Sequence, residues 1–233
     1  MNSSQSARWA IPIWNAPSIP VAGGDSFPVR RIFCVGRNYT AHAREMGHDP
    51  DREPPFFFAK PADAVADNDT TIPYPDKTED MHPEIEMTVA LKEGGKDVPE
   101  EMALDLVFGY GVGLDLTRRD MQGVAKDMGR PWDMAKGFDQ SAPMSELHPA
   151  SRVGHIDRGD ITLSVNGEIR QKGDINQLIW NVPETISYLS GLITLLPGDV
   201  IVTGTLSGVS AVIKGDELIG HVDGLTDLKV RIG

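Results

Sequence analysis

The stretch Met81–Leu91, MHPEIEMTVAL, reads as a β-strand, and within it Glu84 and Glu86 stand two positions apart. Alternation along a strand sends both carboxylates to one face of the sheet. Like charges that close raise each other's pKa and destabilise the fold unless a cation or a basic partner sits between them. Any fold for this chain must therefore supply that compensation. Pro83, directly before Glu84, removes a ladder donor, so the strand starts there or lies at a sheet edge.

Two readings of the pair are open. An E-x-E pair is common on the solvated face of a strand. The other reading is a hard divalent cation: Mg²⁺ and Mn²⁺ take a few carboxylates and leave the remaining positions to water or substrate. Asp115 is the candidate third carboxylate, because it stands near the end of the Gly-interrupted strand VFGYGVGLDLT (Val107–Thr117), just before a helix.

The rest of the chain bounds what such a site could serve. At 233 residues it is long enough for one large domain, and we expect residues 1–29 to form an N-terminal arm or edge segment and residues 30–233 a single catalytic domain. The 24 glycines and 17 prolines point to a turn-rich, mainly β architecture with short helices, a mixed α/β class. With 22 basic against 34 acidic residues the net charge is −12, which opposes nucleic acid and anionic membrane surfaces and favours a small-molecule partner. Cys34 is the only cysteine, so an intrachain disulfide and a Cys-rich zinc site are excluded and a reducing cytoplasm is expected. No apolar run has the length of a signal-peptide core or of a membrane span.

Local signals fill in the elements. RRIFCVG (Arg30–Gly36) and PPFFFAKP read as strands, and NYTAHAREMG as a short helix between them. RRDMQGVAKDMG reads as a helix opened by Thr117 and closed by Gly129. Asn166-Gly167 marks a hairpin, VPETISYLSGLITL a helix with Pro183 near its start, and VIVTGT an apolar strand after a Pro-Gly-Asp turn. His42 and Glu45, spaced i, i+3, share a face of the expected helix, where an exposed ion pair is the ordinary reading. His82 and Glu84 form the H-x-E of zinc deaminases, but the required downstream P-C-x-x-C is absent. GYGVGLD misplaces the third glycine of a dinucleotide fingerprint.

Taken in order, the motifs CVGRNYTAHAREMG, PPFFFAKP, HPEIEM, GVGLDLTRRDMQ, MAKGFDQSAP, VNGEIRQ and VIVTGTLSGV resemble the fumarylacetoacetate hydrolase family from about Arg31 to Ile232. REPPFFFAKPADAV and TRRDMQ are most similar to its acylpyruvate-cleaving branch, and especially to the fumarylpyruvate hydrolases of gentisate breakdown. The resemblance implies a mixed β-sandwich roll, a homodimer, and one Mg²⁺ or Mn²⁺ per subunit on Glu84, Glu86 and Asp115. It implies His42 as general base oriented by Glu45, with Lys136, Arg119 and Gln122 contacting substrate oxygens and Thr205 presenting its hydroxyl and backbone N–H to the substrate carboxylate. The substrate class implied is a 2,4-diketo acid cleaved hydrolytically to an acid and pyruvate. Oxaloacetate decarboxylation at the same chelating site is the alternative, as is a catalytically silent binding protein. Leu206 and Ser210 depart from the family's usual Pro and Gly, and their loop borders the expected carboxylate pocket.

Overall fold

The computed structural model describes residues 9–39 and 53–233. It is mixed α/β, mostly strands with a few short helices, as the sequence predicts. Six strands form one sheet in the order His148–Pro149, Val107–Leu114, Ile85–Leu91, Asp199–Val202, Arg31–Gly36, Phe56–Lys60. All neighbours are antiparallel except Arg31–Gly36 and Asp199–Val202, which run parallel. A second sheet of five strands has the order Glu168–Asp174, Asp160–Val165, Glu217–Val222, Leu228–Ile232, Thr70–Ile72.

The two sheets share an apolar core. Met87, Val89 and Ile201 of the first meet Leu163, Leu218 and Val230 of the second, all essentially without solvent exposure. Residues of opposite phase, Ala90, Val200 and Val202, join a second cluster with Ile32, Met144 and Leu147. Because both faces of the large sheet are covered, all seven residues of Ile85–Leu91 are buried, Glu86 and Thr88 included. Ile19 and Phe27 complete the second cluster from a two-stranded ribbon, Ser18–Pro20 with Ser26–Pro28, in which they are cross-strand partners.

Several expectations are refined. The run Met81–Leu91 is two strands, not one: Met81–His82 pairs with Thr117–Arg118, and after Pro83-Glu84 the chain resumes as Ile85–Leu91 inside the large sheet. The missing proline donor thus marks a strand start rather than an edge. The helix Arg119–Asp127 is not opened by Thr117, whose hydroxyl donates to the Asp115 carbonyl and whose backbone pairs with His82; Arg118 occupies the cap position without a side-chain cap bond. Asn166 and Gly167, at φ 52° and 81°, make the expected hairpin turn. The helix Val182–Leu192 starts on a reciprocal box in which Asn181 accepts from the Glu184 N–H and Glu184 accepts from the Asn181 N–H. His42 and Glu45, and the helix expected around them, lie outside the described residues. Among the described residues, no helix is long and apolar enough to cross a membrane.

Candidate metal centre

The strand break at Pro83 and the end of the Gly-rich strand lie side by side, and this adjacency builds the site. The Asp115 N–H donates to the Glu84 carbonyl at 2.9 Å, while Glu86 pairs across the sheet with Gly113. One ligand atom from each of Glu84, Glu86 and Asp115 lies within 4.8 Å of the others, and all three residues are buried. Gly204 closes the centre over Glu86. Its backbone has φ 96°, a Cβ there would stand 2.6 Å from the Asn38 Cβ, and its N–H donates to the Glu86 carboxylate. Asn38 fixes this turn by donating to the Thr203 and Trp180 carbonyls.

Cations compensate two of the three carboxylates. Lys136 Nζ lies 2.9 Å from Glu84 and 2.6 Å from Asp115, Lys60 Nζ lies 2.8 Å from Asp115, and Arg119 pairs with the other oxygen of Glu84. Burial pushes the Glu84 carboxyl up, but the Lys136 and Arg119 charges prevail and hold it well below the ordinary range. Lys136 is lowered by burial and raised further by Asp115 and Glu84, so its ammonium is held charged. Glu86 is different. It makes no ion pair among the described residues, and burial, then Asp115 and Glu84, push its pKa well up against the weaker pull of Lys136 and the Gly204 N–H.

A hard divalent cation fits this arrangement. The donor set is oxygen only, the Asp115 oxygen facing Lys60 lies without hydrogen-bond alignment, and Glu86 lacks an ion-pair partner of its own among the described residues. The opening carboxylates are therefore not a solvated face.

Glu84, Glu86, Arg119, Gln122, Lys136 and Thr205 line one pocket, with Phe56, Phe58 and Trp132 as its aromatic side. Asp115 stands behind it, 1% exposed. Arg119 donates to the Gln122 amide oxygen at 2.6 Å, which positions both head groups together. The Thr205 hydroxyl donates to the Ile85 carbonyl at 2.7 Å and accepts from Gln171. That engagement leaves the backbone N–H as Thr205's donor for a ligand. Leu206 is buried rather than pocket-lining, and Ser210 accepts from Arg170.

Sequence reasoning missed Lys60 and Gln171. Alternation places Lys60 on the same face as Phe56 and Phe58, so a lysine ending an aromatic strand was the available signal. Gln171, 1% exposed, accepts from the Ile85 N–H and donates to Thr205 and to the Leu206 carbonyl, tying the edge of the second sheet to the site. Gln171→Leu keeps the volume and orphans these groups. Unfolding in urea should show a loss of about 2–4 kcal/mol, and an unchanged midpoint would mean the bridge is not structural.

The fold and this centre define a metal-site enzyme class, and the chain belongs to the fumarylacetoacetate hydrolase family: the family model described as Fumarylacetoacetate (FAA) hydrolase C-terminal matches residues 31–233. Within it, the chain is 52% identical to the fumarylpyruvate hydrolase of Pseudomonas aeruginosa, whose crystal structure holds Mn²⁺ and pyruvate, with a TM-score of 0.94 over 97% of this chain and 99% of that one. It is 41% identical over 190 residues to the fumarylpyruvate hydrolase of a Ralstonia species, covering 81% of this chain and 98% of the relative. It is also 41% identical over 202 residues to the mitochondrial oxaloacetate tautomerase of Arabidopsis thaliana, covering 87% and 90%.

Proposed function

We propose that the protein is a divalent-metal-dependent hydrolase that cleaves fumarylpyruvate, or a close acylpyruvate, to fumarate and pyruvate. The observation that carries this reading is the convergence of the buried trio Glu84, Glu86 and Asp115 with Lys136, Arg119, Gln122 and Thr205 at one pocket. The similarity to fumarylpyruvate hydrolases, one of them with Mn²⁺ and pyruvate bound, supports it.

In this reading the trio holds one Mg²⁺ or Mn²⁺. When bound, that ion supplies Lewis acidity that draws electrons toward the pyruvyl oxygens as the C3–C4 bond breaks. Arg119 and Gln122 bind substrate oxygens, and the Thr205 N–H receives the pyruvyl carboxylate. Lys136 keeps Glu84 ionised, pairs with Asp115 and adds positive charge beside the breaking bond. His42, oriented by Glu45, takes a proton from the water that adds to the C4 carbonyl. The bond pair moves to C3, which is then protonated to give pyruvate.

The enzyme would act as a homodimer in the cytoplasm, within gentisate breakdown. Resemblance to the gentisate branch supports the pathway, and the single cysteine fits the compartment. Likeness to an oxaloacetate tautomerase keeps a second substrate in view, since oxaloacetate offers the same carboxylate and keto oxygen. Loss of diketo-enol absorbance should be followed for fumarylpyruvate, acetylpyruvate and oxaloacetate. Fumarylpyruvate is expected to be hydrolysed fastest, with activity abolished by EDTA and restored by Mn²⁺. Undiminished activity after exhaustive chelation, or turnover of oxaloacetate alone, would overturn the assignment.

A further inference from the structure

The pocket holds more positive charge than its ion pairs use. Lys60, Lys136 and Arg119 are each engaged by Glu84 or Asp115. Two further cations line the same pocket, Arg37 and Lys126, and neither has an ion-pair partner among the described residues. Both are partly buried. Each rests instead on an aromatic ring. The Arg37 guanidinium is 5.3 Å from the centre of Phe56, and Lys126 Nζ is 5.3 Å from that of Trp132. These two rings touch edge to face, with centres 5.6 Å apart. The two cations therefore belong to one structured side of the pocket.

That arrangement works against itself in the absence of a ligand. Arg37 is held at φ 56°, in the left-handed region that a long side chain rarely adopts. Lys126 is pulled below its usual pKa by burial and then by the Arg119 and Arg37 charges, against the opposing pull of Glu84. Cations gathered in a half-buried, aromatic-lined space are relieved by an incoming anion. The pyruvyl carboxylate is assigned to the Thr205 N–H, so the anion received here is a different one.

We propose that Arg37 and Lys126 bind a second carboxylate, at the far end of the acyl group, and so select dicarboxylic acylpyruvates over those with an uncharged acyl end. The inference rests on the acylpyruvate reading above. A planar unsaturated acyl chain suits the flat faces of Phe56 and Trp132 along the way.

The test is the ratio of kcat/KM for fumarylpyruvate to that for acetylpyruvate, which lacks the second carboxylate. In the Mn²⁺-loaded enzyme, Lys126→Met and Arg37→Gln should each lower this ratio roughly tenfold to hundredfold. Lys126→Arg should retain it within a few-fold, because the charge is kept. A ratio unchanged by both charge-removing substitutions would overturn the proposal, since general damage to the pocket moves both substrates together. Calorimetry with fumarate as the probe gives an independent reading, because fumarate carries the acyl-end carboxylate without the diketo group. Fumarate should bind the wild type, and Lys126→Met should weaken that binding roughly tenfold or more. Failure of the wild type to cleave either acylpyruvate would remove the parent reading, while the fumarate measurement would still decide the clamp. Fumarate binding left unchanged by Lys126→Met would overturn it.

Discussion

Asp115→Asn should abolish tight Mn²⁺ binding and lower kcat/KM for fumarylpyruvate by about 10³-fold or more. The substitution preserves size, removes the charge and turns one acceptor oxygen into an amide donor. It leaves Glu84, already committed to Lys136 and Arg119, and Glu86, whose ionisation is opposed by burial. Two such groups cannot complete a hard-metal site, since octahedral ions depend on a fixed set of anionic oxygens. Lys60 and Lys136 would meanwhile lose their shared partner in a buried setting, a loss of about 3–5 kcal/mol in unfolding free energy. Free Mn²⁺ can be followed by its paramagnetic resonance signal during titration, independently of turnover. Binding of one Mn²⁺ with wild-type affinity would remove Asp115 from the metal site.

The second large effect concerns the base. No histidine lines the pocket among the described residues, and Lys136 is held protonated, so neither can accept a proton near neutral pH. His82 does not fill the gap. It is bonded to Asp80, and burial, then the Arg119 charge, lower its pKa. The base implied by the family resemblance is His42. His42→Ala should reduce fumarylpyruvate cleavage by roughly 10²- to 10⁴-fold, the usual contribution of a positioned general base. Decarboxylation of oxaloacetate needs an electron sink but no activated water, so any such activity should survive much better. Glu45→Gln should repeat this pattern more mildly, because the imidazole remains while its orienting partner is weakened. Equal loss of both activities would assign His42 to binding rather than to water activation.

Much of this site is legible in the sequence because strand alternation and motif order are local properties. The two-residue spacing of Glu84 and Glu86 does bring them together, Glu84 just before the strand Ile85–Leu91 and Glu86 within it, and Asp115 follows the glycine-rich strand that is its direct antiparallel neighbour. What could not be read was how the charges are shared. The division of Glu84 and Asp115 among Lys60, Lys136 and Arg119 depends on three segments folding against each other, and no spacing rule encodes that. Thr205 lines the pocket, yet its hydroxyl is turned to Ile85 and Gln171, a competition among nearby hydrogen-bond acceptors and donors visible only in three dimensions. The helix start moved from Thr117 to Arg118 for a similar reason: Thr117 joins a short ladder with His82 that outcompetes its capping role.

The parallel pairing of Arg31–Gly36 with Asp199–Val202 also bears on how the molecule comes into being. It joins Arg31 to Asp199 across 168 positions, a closure no tight turn can make, and long-range pairings of this kind form late. Glu86 and the strand before Asp115 are neighbours in an antiparallel pair of short sequence separation, whereas the Gly204 N–H that caps Glu86 follows directly on the Asp199–Val202 strand. A chain emerging from the ribosome therefore carries an unfinished cradle until the segment through Gly204 has been made, and durable metal capture waits for that segment.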